Sequence, residues 1–200
     1  MQNLRALACE RRQPWRAAVL DPDARFRARL IDVARAAGIT VSVSAVPRPE
    51  VARLITQTGC DVTLLGMETP EPEPLALAAG LECPVVLCSG EASPSIIESA
   101  QRVRAMAFLV RPFRPDQLAP TITLAVARFR EQRLLRRALE ERKLIERAKG
   151  RLMAVDGLTE DDAFRWLRQR AMNTRSRMAD VARQVLGNFV NRTGATRWAR

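Results

Sequence analysis

Polar side chains stand where several predicted strands of this 200-residue chain end. Asp21 follows the apolar run WRAAVL, and Asp23 lies two residues further on. Ser89 follows PVVLC, and Arg111 follows MAFLV. A further strand, DVTLL, ends at Gly66, which has no side chain. Because sites in parallel sheets lie at the carboxyl ends of the strands, these five positions form the first candidate site.

The composition excludes several kinds of catalytic site. The chain has no histidine, and its four cysteines (Cys9, Cys60, Cys83 and Cys88) include no C-x-x-C pair. Zinc sites, Cys–His pairs and Ser–His–Asp triads need those residues, so we expect no enzyme, no cofactor and no metal. The chain also has no apolar run of membrane-spanning length and no signal-peptide core near its start. We therefore expect a cytoplasmic protein without membrane contact.

The first 120 residues alternate between short apolar runs and helical patterns. Strands are predicted at 15–20, 39–46, 61–65, 84–88 and 106–110, and helices lie between them. This alternation predicts an α/β fold, with a five-stranded parallel sheet covered by helices on both faces.

These strand ends resemble those of the response-regulator receiver family, whose fold is flavodoxin-like. In that family, acidic residues after the first strand hold Mg²⁺, and the third strand ends in the Asp that is phosphorylated. The fourth strand ends in Ser or Thr, and the fifth in Lys followed by Pro. Asp21, Asp23 and Ser89 match in part, and RPF matches the last segment except that Arg111 replaces Lys.

Gly66 is the decisive departure from the receiver pattern, because an acyl phosphate needs a carboxylate nucleophile. The missing carboxylate also removes an oxygen ligand for Mg²⁺. Glu68 is nearby but displaced into the following loop. We therefore expect a pseudo-receiver without phosphotransfer, in which Asp21 closes a strand and Asp23 caps the next helix. A protein partner or a dimer contact would supply the input.

The positive charge is concentrated in the last 80 residues. Residues 1–120 carry 14 Lys and Arg against 13 Asp and Glu, whereas residues 121–200 carry 19 against 9. Arginine binds phosphate in a bidentate manner and stacks on bases, so this half is a candidate for binding nucleic acid. A solvated helix face is the alternative explanation.

A long helix is predicted to follow the receiver-like part, over residues 121–147. Apolar side chains recur at near-heptad spacing, and Gln132 continues the series: Leu118, Ile122, Ala125, Phe129, Leu135 and Leu139. This stripe predicts a dimeric coiled coil through residues 118–145. The alternative is that the helix packs against its own receiver domain.

Residues 143–186 predict three helices with a small aliphatic core. The first ends near Gly157, the second opens at Thr159 with the capping pattern TEDD, and the third begins near Ser176. Met153 and Phe164 are expected to lie in this core. Trp166 is expected at its edge, partly exposed.

The segments IERAKGRLM, TEDDAFRWLRQRAM and RMADVARQVL resemble the ANTAR domain in order and spacing. The whole layout resembles ANTAR antiterminator response regulators of the AmiR/NasT type. We therefore predict a pseudo-receiver over 1–120, a coiled-coil helix over 121–142, a three-helix ANTAR module over 143–190 and a flexible tail over 191–200.

The resemblance implies binding to paired hairpins in nascent leader mRNA, usually as a dimer, so that RNA polymerase reads past a terminator. Control by a ligand-sensing regulatory protein is also implied. Ala148 and Gly150 are predicted to allow close approach of RNA, with Lys149 as the charged contact. Further phosphate contacts are predicted among the neighbouring arginines: Arg147, Arg151, Arg168, Arg175 and Arg177.

Three other functions are possible from the sequence. The last helices could form a helix-turn-helix of a DNA-binding transcription factor, although the segment MNTRSR lacks the usual Gly. A phosphorylated receiver is disfavoured by Gly66. A dimerisation scaffold would leave the cationic half without a role.

Overall fold

The computed structural model describes residues 14–187. Contacts divide the chain into two compact units, with the division between Glu131 and Gln132. The predicted domain boundaries at residues 120, 142 and 190 stay predictions, and the tail over 191–200 lies outside the described residues.

The first unit contains a parallel sheet of five short strands. The strands are β1 (Arg16–Leu20), β2 (Thr40–Ala45), β3 (Val62–Gly66), β4 (Val85–Ser89) and β5 (Ala107–Val110). They are ordered β2-β1-β3-β4-β5, and every neighbouring pair is parallel. This is the predicted flavodoxin-like arrangement, and it brings the carboxyl ends of β1, β3, β4 and β5 to one edge.

Helices connect the strands and cover both faces of the sheet. They are α1 (Ala24–Ala36), α2 (Val51–Thr58), α3 (Pro72–Gly80) and α4 (Pro94–Arg102). One apolar cluster joins α1 to one face of the sheet, and a second joins α2, α3 and α4 to the other. Strands β3 and β4 are buried along their whole length, because each lies between neighbours inside a covered parallel sheet.

A single helix, α5 (Pro115–Asp156), begins six residues before the predicted start at 121 and includes Pro120 in its second turn. Leu118, Ile122 and Ala125 are completely buried in the cluster that joins α1 to the sheet. The prediction that these three residues belong to a dimer stripe is wrong, because their own receiver domain already covers them. The alternative packing explains these first turns of α5.

The later apolar positions of the predicted stripe are more exposed than those in the first turns of α5. Leu135 and Leu139 are 65% and 53% exposed, and Phe129 is partly buried. A dimer contact through this later part of α5 therefore stays a prediction.

The second unit contains the end of α5 and two shorter helices, α6 (Glu160–Asn173) and α7 (Met178–Gly187). The hydroxyl oxygen of Thr159 accepts a hydrogen bond of 3.2 Å from the backbone N–H of Asp162, as the TEDD pattern predicted. The three helices enclose a small aliphatic core whose buried members are Ala148, Leu152, Ala163, Leu167, Ala171, Val181, Ala182 and Val185.

Within residues 14–187, none of the helices combines the length and the apolar character that crossing a membrane requires.

Candidate functional site

Asp21 and Arg111 form an ion pair at the carboxyl edge of the sheet. Nη1 of Arg111 lies 3.1 Å from Oδ2 of Asp21, and the two side chains are only 12% and 3% exposed. Strand β1 delivers the carboxylate and β5 delivers the guanidinium. The guanidinium also lies 4.3 Å from the ring centroid of Phe26 on α1, in a cation–π contact. Arg111 is thus held on two sides inside the predicted site.

Glu68 supplies a second carboxylate to the same guanidinium. It forms an ion pair with Nη2 of Arg111, although it stands two residues beyond the end of β3. Both carboxylate oxygens of Glu68 also accept hydrogen bonds from the backbone N–H of Gly90, at 3.2 and 3.1 Å. The sequence analysis placed Glu68 in the loop and away from the site. The signal in the sequence was the forked guanidinium that Arg111 brings where the receiver family has Lys, because a guanidinium can bind two carboxylates at once.

Gly66 has no room for a side chain. A Cβ added at this position would overlap Oδ2 of Asp21 and would lie 2.9 Å from its Cβ. The carboxylate of Asp21 therefore occupies the space directly above the residue that replaces the phospho-acceptor. The carboxylate of Asp21 can take this inward position because Gly66 has no side chain.

Asp23 lies outside this ion-pair network and caps α1. Its Oδ1 accepts hydrogen bonds from the backbone N–H groups of Arg25 at 2.6 Å and Phe26 at 3.2 Å. These bonds hold the pKa of Asp23 below its usual range. The capping role expected for Asp23 is present, and its carboxylate is committed to the helix.

Ser89 contributes little to an accessible site. It is fully buried at the end of β4, and its Oγ accepts a hydrogen bond of 3.4 Å from the backbone N–H of Glu91. The backbone of Ser89 accepts a bond of 2.7 Å from the N–H of Arg111. The predicted hydroxyl thus lies on a residue that is hydrogen-bonded to Arg111 across the sheet, but it serves the loop after β4.

Burial raises the pKa of the Asp21 carboxyl, whereas a backbone hydrogen bond from Asp23 and the Arg111 charge oppose that rise. The receiver fold implies Mg²⁺ at this edge, but the residues present do not fit it. Gly66 offers no oxygen, Asp21 is paired with a cation, and the guanidinium of Arg111 stands between the carboxylates. Within the described part of the chain, no three His, Cys, Asp or Glu side chains are grouped to hold a metal ion.

Lys149, which is predicted to contact RNA, is buried in the structure. Its side chain is only 10% exposed, and Nζ lies 2.7 Å from Glu160 and 3.0 Å from Glu146. The hydrogen bonds to Glu160 and Glu146 raise the pKa of Lys149, and the bond to Lys149 lowers the pKa of Glu160. Lys149 is therefore not an exposed, unpaired cation, and its contact with RNA stays a prediction. Lys149 joins α5 to the first turn of α6.

Ala148 and Gly150 differ in exposure. Ala148 is completely buried in the three-helix core, so its burial does not support close approach of RNA at this position, and the contact stays a prediction. Gly150 is exposed on α5, and a Cβ there would meet nothing within 4 Å. Only the second of these positions is open to a ligand.

The five predicted arginine contacts are all exposed. Arg177 forms an ion pair with Glu141, with N and O 3.5 Å apart, but its side chain stays 79% exposed. Arg147, Arg168 and Arg175 have no ion pair with any residue in the described range. Arg147 and Gly150 are three residues apart on α5, whereas Arg168 lies on α6 and Arg175 just beyond it.

Two apolar residues expected in the core lie at the surface. Met153 is 41% exposed and Phe164 is 42% exposed, because helical rotation places each beside the buried stripe and outside it. Trp166 packs partly against the core, as predicted.

The chain is similar to several known proteins. The ANTAR domain family matches residues 133–186. The transcriptional regulatory protein PdtaR of Mycobacterium tuberculosis is 33% identical over 184 residues, which cover 86% of this chain and 90% of that protein. The nitrate regulatory protein of Klebsiella oxytoca is 50% identical over 52 residues, covering 26% of this chain and 13% of that protein. The receiver domain of NarL from Mycobacterium tuberculosis is 24% identical with a TM-score of 0.47, covering 57% of this chain and 94% of that domain.

Proposed function

Because this chain belongs to the ANTAR response regulators that carry a receiver domain, we propose that it binds hairpins in nascent leader mRNA and thereby prevents termination. At a coarser level, it is an antitermination-type regulator, and its family is not a known class of enzyme. The observation that carries the proposal is the ANTAR match over 133–186, because this range lies within the part of the chain that holds the cationic excess. Nascent transcripts would place its action in the cytoplasm.

The RNA contacts that we propose are exposed cations beside an open backbone position. Arg147, Gly150 and Arg151 share one face of α5, at spacings of three and four residues. Arg168 on α6 and Arg175 after it would add phosphate contacts. An arginine that has no carboxylate partner among the described residues keeps its charge available for phosphate, and this supports Arg147, Arg168 and Arg175 in particular.

Control by a partner protein fits the receiver unit better than control by phosphorylation. The site that would bind phosphate and Mg²⁺ in a receiver is filled by Arg111 and two carboxylates of the same chain. A ligand-sensing regulatory protein that binds this unit and holds the regulator inactive is therefore the proposed input. RNA polymerase would respond only indirectly, through the fold of its transcript.

A homodimer is also part of the proposal. Leu135 and Leu139 are four residues apart on one side of α5, and more than half of each side chain is exposed. Two copies of α5 could cover these side chains, and two bound ANTAR modules would match two hairpins in one leader.

The direct test begins by selecting RNA against the full chain. A pool of two-hairpin RNAs with randomised loops is selected, and the winner is compared with its single hairpins and with duplex DNA in gel-shift titrations. We expect the two-hairpin RNA to bind most tightly. Placed before a terminator, the same RNA should give more read-through by RNA polymerase when the chain is added. Tighter binding to promoter duplex than to RNA would favour the DNA-binding alternative.

A matched pair of triple variants separates specific contacts from net charge. Arg147, Arg168 and Arg175 are replaced by Gln in one chain, and Arg25, Arg29 and Arg35, which are exposed on α1, are replaced in the other. Each variant loses three positive charges. We expect only the first to bind RNA weakly and to show a flatter salt dependence, by roughly 0.7 in slope per lost phosphate contact. Equal losses would contradict the proposed surface.

A further inference from the structure

The outward face of α6 carries a shallow depression of about 490 Å³. Its lining consists of Arg165, Trp166, Arg168, Gln169 and Met172. At 100° per residue, four of these side chains fall within one sector of the helix, and Trp166 stands at its edge. The buried stripe of α6 lies on the opposite side of the helix. The depression is thus separate from the three-helix core.

The chemistry of the lining suits a nucleotide. The indole of Trp166 lines the depression beside the core, and Met172 is 64% exposed and polarizable. Gln169 donates a hydrogen bond of 2.9 Å to Oδ1 of Asn173, which positions its amide beside the depression. The volume lies in the range of small-ligand sites. Bases in single-stranded RNA are bound by stacking on aromatic rings and by hydrogen bonds to their edges.

The cations of the depression are not equivalent. Arg165 forms an ion pair of 2.8 Å with Asp162 on the same helix. Arg168 is exposed and has no ion pair with any other described residue. Because no carboxylate within residues 14–187 pairs with Arg168, it is the side chain of the depression best able to bind a phosphate next to a stacked base.

We propose that this depression holds one unpaired base of an RNA loop, with Trp166 as the stacking surface and Arg168 on the adjoining phosphate. A base-paired stem would use only cations, since its bases are already stacked, and would leave the aromatic wall and the amide without a role. The inference rests on the proposed RNA-binding function and adds the part of the RNA that α6 reads. Docking of a protein on the same face is the competing outcome.

The test places 2-aminopurine at each loop position, in turn, of the two-hairpin RNA selected above. We expect the full chain to quench the fluorescence at one loop position. Trp166→Leu removes the aromatic face, and we expect it to abolish this quenching and to weaken binding at least about fivefold. Trp166→Phe keeps an aromatic ring and should keep the quenching and most of the affinity.

Arg168→Gln and Arg170→Gln form a matched pair on α6, because Arg170 is exposed but does not line the depression. We expect only Arg168→Gln to weaken binding and to reduce the salt slope by roughly 0.7. Circular dichroism identifies any variant that unfolds. If Trp166→Leu unfolds, the Arg168 and Arg170 comparison decides the proposal.

Two results would overturn the base site. If Arg168→Gln binds RNA as Arg170→Gln does, α6 does not contact a loop phosphate here. If folded Trp166→Leu keeps both the quenching and the affinity, no base stacks on the indole, and the depression serves a protein or nothing. If the unaltered chain selects no RNA at all, the proposed function fails together with this inference, so the two failures are distinguishable.

Discussion

The guanidinium of Arg111 donates a hydrogen bond of 3.1 Å to Oδ2 of Asp21, a carboxylate that stands 90 residues earlier in the chain. Both side chains are almost fully buried. The pair occupies the edge of the sheet where receiver domains carry out phosphotransfer. We therefore propose that a structural ion pair takes the place of phosphotransfer chemistry at this edge.

Replacing Arg111 by Met should lower the free energy of unfolding by about 3 kcal/mol at neutral pH, because Asp21 is left buried without a counter-charge. Removing the guanidinium also raises the pKa of Asp21 further, so the loss should shrink as the pH falls and the carboxyl is protonated. Urea unfolding followed by circular dichroism measures the change. Arg114→Met is the control, because Arg114 is 75% exposed in its pair with Asp116 and should cost less than about 1 kcal/mol. Equal stabilities of the two variants would refute the role of Arg111.

Gly66→Ala should be destabilising by about 1–3 kcal/mol, because its Cβ overlaps the carboxylate of Asp21. Gly66→Asp should cost more, since it adds a second negative charge beside the first. Gly80→Ala is the matched control, because a Cβ at Gly80 meets nothing within 4 Å. Thermal unfolding of the three variants checks this prediction. A Gly66→Ala variant as stable as Gly80→Ala would show that Asp21 moves aside at little cost.

The unaltered chain should not accept a phosphoryl group. Glu68, an exposed carboxylate at this edge, is bound by Arg111 and by the backbone of Gly90. Incubation with acetyl phosphate and Mg²⁺, followed by intact-mass measurement, should leave the mass unchanged. An unphosphorylated receiver domain that retains the acceptor Asp, treated in parallel, controls for the reagent. A mass increase corresponding to one phosphoryl group would contradict the proposal of control without phosphorylation.

The ion pair between Lys149 and Glu160 should make the second unit sensitive to pH. The bond to Lys149 lowers the pKa of Glu160 from 4.5, so this part of the stability is present above pH 4.5 and is lost as the pH falls through the lowered value. The bond to Glu160 raises the pKa of Lys149 from 10.5, so its part is present below pH 10.5 and is lost above the raised value.

Lys149→Met should therefore lower the melting temperature at neutral pH and have a smaller effect in acid. Lys143→Met is the control, because Lys143 is 58% exposed in its pair with Glu140. Thermal unfolding at both pH values compares the variants. An effect of Lys149→Met that is independent of pH would mean that packing of its aliphatic chain, and not its charge, stabilises the unit.

Replacing both Leu135 and Leu139 by Glu should convert a dimer into a monomer, since like charges would face each other at the contact. Sedimentation velocity of the full chain measures the state. Leu54→Glu is a control on α2, where Leu54 is 46% exposed, and should leave the dimer intact. If the unaltered chain is a monomer over the concentrations tested, the proposed dimer is wrong.

The sequence by itself determined the order of the elements and the type of both units. Alternation of short apolar runs with helical patterns is a local property, and it predicted five strands, the helices between them and the capped start of α6. The replacement of an acidic residue by Gly66 and of Lys by Arg111 was equally visible, because each is a matter of residue type at a strand end.

Only the tertiary structure decided which side chains are committed to each other. Asp21 and Arg111 are distant in the chain, and their pairing depends on β1 and β5 ending at one sheet edge. The sequence could not show whether Leu118 and Ile122 pack against their own receiver domain or against a second copy of the chain. Both kinds of packing require the same apolar spacing. Lys149 looked like a surface cation because periodicity does not reveal that the next helix begins with a carboxylate within 2.7 Å of it. Charge and apolar periodicity are properties of one segment, whereas ion pairs and burial belong to two segments that the fold brings together.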